Sequence, residues 1–140
     1  MSSYSYKQER EVSILLGQTI VEIVPVMPEA EDDELLFTLA DGRRFAFAHN
    51  QACCESVGIE DVIGDLTDLI GSPLTMAEEV THEGENPEGV PAKDYQYSWT
   101  WTFYKFATVK GYVTLRWYGE SNGYYSEDVS LYELKPLEED

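Results

Sequence analysis

Residues 49–55 read HNQACCE and gather one imidazole, two thiols, an amide and a carboxyl in a single short stretch. A His beside two cysteines resembles part of a zinc site. Zinc, however, takes four ligands at spacings that let the chain turn between them. Adjacent residues on a strand also point to opposite faces, so Cys53 and Cys54 would not readily hold one ion there. The expectation is therefore no metal. The enzymatic version of the same residues is a thiolate nucleophile, which needs a base beside it. His49 lies four residues before Cys53. The competing reading is that one cysteine fills the core while His49 bonds a backbone carbonyl. A free cysteine is usually a small buried apolar residue, and this reading is preferred. No catalytic residue is expected.

Residues 117–126 read WYGESNGYYS, with Arg116 just before them. Aromatic faces, an amide, hydroxyls and glycines in one turn give stacking together with adaptable hydrogen bonding, as in recognition loops. Arg116 adds a guanidinium that suits a phosphate or carboxylate. The plain alternative is a hairpin turning at Asn122-Gly123, its tyrosines covering the sheet. A third group, Glu55, Glu60, Asp61, Asp65 and Asp68, is dense in carboxylates, which can do acid–base work or hold a hard cation. Its spacing matches no calcium loop, and Asp65 stands where a helix cap belongs.

These residues sit in a chain of 140 residues and 15.9 kDa, the size of one domain. Hydrophobic residues make up 43%, enough for a folded core, and aromatics 13%. Twenty-seven acids against nine Lys and Arg give a net charge of −18. Too few cations remain for a face that grips phosphates, so direct nucleic-acid binding is not expected. A negative field instead draws basic surfaces, although acidity also serves solubility alone. The polar start Met1–Arg10 carries no secretory pattern, and no apolar run is long enough for a membrane helix. Two adjacent cysteines make no disulfide framework, which fits a cytoplasmic setting.

Along the chain, residues 1–6 are expected to be flexible and Lys7–Leu16 to form a short helix stopped by Gly17. Thr19–Pro25 reads as a strand, and Glu29–Glu34 as a solvated acidic loop. Asp41-Gly42 between two alternating apolar runs predicts a hairpin, with Phe45, Phe47 and His49 on one face. Val57–Ile63 reads as a strand, Asp65–Ile70 as a helical turn closed by Gly71, and about 81–93 as a mobile loop. The carboxy-terminal third reads as a meander: Tyr95–Thr108, Gly111–Tyr118 and Tyr124 to about Leu134. Tyr95, Tyr97, Trp99, Trp101 and Phe103 share a face of its first strand, and an acidic tail follows at 136–140.

The blocks HNQACCESVGIEDVIGDLTDLIGSPL and TWTFYKFATVKGYVTLRWYGESNGYYSEDV resemble a family of uncharacterised small proteins of phages and bacteria, from about Leu16 to Val129. The resemblance implies no activity. Small acidic phage proteins often block a host enzyme or defence, and that analogy supplies the first functional expectation.

The sequence thus predicts one α+β domain over 1–140, with a dominant antiparallel sheet (hairpin plus meander) and one or two short helices. It is expected to be a non-enzymatic binding protein without cofactor, acting on a host protein through that protein's basic surface. The alternative is a protein that sequesters a small planar anionic ligand, and a Cys/His-dependent enzyme stands third. Homo-oligomers are compatible with each. The candidate binding residues are His49, Gln51, Glu55, Arg116, Trp117, Tyr118, Ser121, Asn122, Tyr124 and Tyr125. Of these, His49, Glu55, Arg116, Trp117, Asn122 and Tyr124 are expected to line one shared concavity.

Overall fold

The computed structural model describes residues 6–26, 34–49, 54–89, 97–123 and 125–135. Nine strands form two antiparallel sheets. The five-stranded sheet takes β1 (Tyr6–Arg10), β2 (Ile20–Val26), β3 (Glu34–Leu39), β4 (Arg44–Ala48) and β9 (Ser130–Leu134), in the order β1-β9-β4-β3-β2. The four-stranded sheet takes β5 (Ser56–Ile63), β6 (Met76–Glu83), β7 (Ser98–Thr108) and β8 (Gly111–Ser121), in the order β5-β8-β7-β6.

Alternation explains why the sheets stack. Each strand sends every second side chain to one face. Leu35, Phe37 and Leu39 of β3, Phe45 and Phe47 of β4, and Leu131 of β9 meet Tyr104 and Phe106 of β7 and Val113, Leu115 and Trp117 of β8 in a single buried cluster. The contact is aromatic at its centre. Phe37 stacks on Phe45 across the β3–β4 pair at 5.5 Å, and Phe47 reaches Tyr104 of the other sheet at 4.3 Å. Two sheets sharing one core in this way form a sandwich.

The predicted strands at β2, β3, β4 and β5 are present. The Asp41-Gly42 hairpin is present too, with Gly42 at φ +96° and the Asp41 carboxylate accepting from the Arg43 amide at 3.0 Å. Asp65 caps a 3-10 turn at Leu66–Leu69 by accepting from the Thr67 amide at 3.0 Å. Before it, Gly64 sits at φ +109°, where a Cβ would lie 2.5 Å from the Tyr112 carbonyl oxygen, so the bend into that turn requires glycine.

Three expectations are corrected. First, the fold is β-rich rather than α+β: the described residues contain two 3-10 turns, Val12–Leu15 and Leu66–Leu69, and no α-helix. Within the expected Lys7–Leu16 helix, residues as far as Arg10 pair with β9 instead, and only Val12–Leu15 turns. Pairing supplies backbone hydrogen bonds that so short a helix could not match alone. Second, the expected mobile loop at 81–93 begins as strand, since β6 continues through His82 to Glu83 against β7. Third, the carboxy-terminal strands do not form a three-stranded meander. β7 and β8 pair, but β9 crosses to the other sheet and lies between β1 and β4. No helix of the described residues is long and apolar enough to cross a membrane. The flexible start (1–5), most of the acidic loop and the tail lie outside the described residues.

Candidate functional site

The residues expected to share one concavity are distributed over three places. His49 lies just past β4 with its side chain 4% exposed. Its Nδ1 is 2.7 Å from the Asp128 carbonyl oxygen and therefore donates to it, since a carbonyl can only accept. Its Nε2 is 2.7 Å from Glu55 Oε2, so one proton lies between imidazole and carboxyl, and the Glu55 side chain is fully buried. The pair ties the end of β4, the entry to β5 and the approach to β9. Both ring nitrogens of His49 are thus engaged. Cys54 is exposed and disulfide-bonded, so it neither fills the core nor stands as a thiol. Cys53, Gln51 and Tyr124 lie outside the described residues.

Arg116 and Trp117 are neighbours on β8 and must face opposite ways. Trp117 points into the core and is 1% exposed, its indole N–H buried without a partner. Arg116 lies on the outer face, 5.7 Å over the Trp101 ring and 3.6 and 3.7 Å from Glu60 and Asp61. Tyr118 shares that face, its ring 4.5 Å from Trp101 and its hydroxyl donating to Glu120 at 2.8 Å. The two β5 carboxylates beside the guanidinium oppose an anionic ligand there. Trp99, Trp101 and Phe103 do share this outer face, and Glu85 and Asn86, just past β6, reach it. Trp99 donates to the Glu85 carbonyl at 3.2 Å and Trp101 to Asn86 Oδ1 at 3.0 Å.

Ser121 belongs to a third group. The buried Glu127 carboxylate accepts from Ser98 at 2.7 Å, Thr100 at 2.8 Å and Ser121 at 2.5 Å. Ser121 also lies 3.3 Å from the Tyr125 carbonyl oxygen, and Asn122 is exposed in the turn. These bonds fix the path from β8 to β9. Among the described residues the expected members do not line one concavity: alternation along β8 sends Arg116 and Trp117 to opposite faces.

A different concavity does exist. Between the sheets, where β1 and β6 form their edges, lies a cleft of about 540 Å³. Glu9, Glu11, Glu79, Glu83 and Asp128 line it, with Thr81, Thr102 and the Val129–Leu131 segment. Its one cation, Arg10, is held by Glu133 at 2.9 Å. Among the described residues the five lining carboxylates have no ion-pair partner. The electrostatics register this crowding. Burial pushes the Glu79 carboxyl above the ordinary range; the Thr81 hydroxyl works against this, and the negative charges of Glu11, Asp128 and Glu9 add to the rise. The Tyr104 hydroxyl beneath is also pushed up, first by burial and then by Glu79, Asp128 and Glu9, while it donates to the Val129 carbonyl at 2.8 Å. Thr102 is 3% exposed, lines the cleft and makes no side-chain hydrogen bond among the described residues. Among the described residues no three acidic, His or Cys side chains are gathered closely enough to hold a metal ion.

Sequence reasoning missed this cleft. One signal was present: Glu79, Thr81 and Glu83 alternate along MAEEVTHE and so share a face. Reading the residues from Thr81 onward as loop cut that pattern in half.

The family model for a domain of unknown function, DUF7448, matches residues 13–131. The chain belongs to the DUF7448 family. No curated protein and no solved structure matches it. The DUF7448 match takes in Glu79, Glu83 and Asp128 but begins after Glu9 and Glu11, so one wall of the cleft lies within the family segment and β1 adds the other.

Proposed function

We propose that this DUF7448 chain is a non-enzymatic binding protein that engages a positively charged protein surface through the cleft between the sheets. The observation that carries the reading is the set of five carboxylates around one concavity whose one cation among the described residues, Arg10, is already paired. Like charges held together under partial burial cost free energy in the unbound protein, and a cationic partner relieves that cost on binding. In its fullest form the partner is a host factor, and the surface covered is a basic patch built for nucleic acid. The family resemblance and the net charge of −18 support that form.

The test uses a fluorescent lysine-rich peptide. Anisotropy titrations should show binding at low salt that weakens steeply between about 0.05 M and about 0.5 M, as exposed charges become screened. The triple variant Glu79→Gln, Glu83→Gln, Asp128→Asn should bind far more weakly, while Glu60→Gln on the outer face should bind as the parent does. Affinity unchanged by salt, or by the triple variant, would refute the cleft.

A further inference from the structure

The cleft has a second property besides its charge: a sheet edge opens onto it. β6 pairs with β7 on one side and, among the described residues, with no strand on the other. Gly84 donates its amide to the Trp99 carbonyl at 2.8 Å, while Glu83 stands opposite Thr100. Along an antiparallel ladder the backbone groups alternate between the partner strand and the open side. Glu79, Thr81 and Glu83 therefore turn their amides and carbonyls to the open edge. The same three residues send their side chains into the cleft. Open backbone hydrogen-bonding groups thus recur at every second residue, beside carboxylates at Glu79 and Glu83 and a hydroxyl at Thr81 between them.

We propose that an extended segment of a partner protein, bearing Lys or Arg at alternate positions, adds to β6 as a further strand. The inference rests on the reading of the cleft as a site for a cationic protein and specifies how that protein is held. A strand added to an edge takes its affinity from main-chain hydrogen bonds and its selectivity from alternate side chains. Residues of the segment opposite Glu79, Thr81 and Glu83 would share their face, about 5 Å away across the new pair. Their cations would enter the space where Glu9 and Glu11 approach from β1, because stacked sheets lie about 10 Å apart. The unpartnered Thr102 hydroxyl on the cleft floor offers an acceptor to a cation and a donor to a carbonyl.

Other occupants fit less well. A single metal ion cannot gather carboxylates that are spread over β1, β6 and the approach to β9. A second copy of this chain pairing edge to edge would set Glu79 and Glu83 against their own kind, and like charges directly opposite destabilise a pair.

Three fluorescent peptides test the mode: Thr and Lys alternating, the same residues with the lysines in one block, and the alternating peptide N-methylated at every second amide. The alternating peptide should bind at least about tenfold more tightly than either of the others. It should also slow hydrogen exchange at the Glu79, Thr81 and Glu83 amides of the full-length protein. Equal binding by all three, or unchanged exchange at those amides, would overturn strand addition while leaving the acidic cleft intact. Absence of binding by every peptide at low salt would overturn both.

Discussion

His49 and Glu55 meet at 2.7 Å with both side chains out of solvent, although they stand six positions apart and the strands they flank belong to different sheets. The contact closes the link between the two halves of the sandwich. Truncating one partner leaves the other's polar group buried without its mate, which costs about 3–5 kcal/mol where the pair is charged. His49→Ala and Glu55→Ala should each destabilise the fold on this scale in urea denaturation. The double variant should lose clearly less than the sum of the two, since the second change removes an interaction already gone.

Glu79 gives a pH dependence of unusual sign. Its folded carboxyl sits above the ordinary value of 4.5, so between that value and the folded one the native state binds the proton more readily than the unfolded chain does. Stability from this group is present below the ordinary value and is lost as pH rises through the folded one. Glu79→Gln should therefore be more stable than the parent at neutral pH and no more stable in acid. Thermal melts across that range check the crossing.

Gly119 has no room for a side chain. A Cβ there would stand 2.6 Å from the Glu127 carbonyl oxygen and 3.1 Å from Val57 Cγ2. Gly119→Ala should destabilise by about 1–3 kcal/mol through overpacking, with denaturation midpoints as the measurement.

Glu127 holds three hydroxyls, and Glu127→Ala would leave those of Ser98, Thr100 and Ser121 without their acceptor. An unmade buried hydrogen bond costs about 1–3 kcal/mol, so the loss should be at least of that order. Faster amide exchange in residues 121–129 should accompany it, because the carboxylate fixes that connection.

Local signals in the sequence carried as far as local physics reaches. Asp41-Gly42 specifies its own turn, Asp65 its own cap, and the alternation in residues 44–48 already sorts Phe45 and Phe47 to one face. β1 is different. Apart from Tyr6, nothing in YKQER favours a strand, and it becomes one because β9 offers an edge. β9 itself follows an aromatic hairpin closely enough to read as its third strand, yet its partners are β4 and β1. Choosing between those arrangements is a question of long-range packing. The same limit hid the cleft, whose carboxylates come from β1, β6 and the approach to β9. The HNQACCE stretch was legible only in part: His49 does bond a backbone carbonyl, but that carbonyl belongs to Asp128.

The pairing of β1 with β9 also sets a schedule for the molecule's synthesis. Arg10 and Glu133, joined at 3.0 Å, are 123 residues apart in the chain. While the ribosome is still making the middle strands, β1 has no neighbour to pair with, and such distant contacts are slow to form even in a finished chain. Glu9 and Glu11 reach their places opposite Glu79 and Glu83 only after β9 has emerged. The complete lining of the cleft is therefore assembled only once β9 is in place.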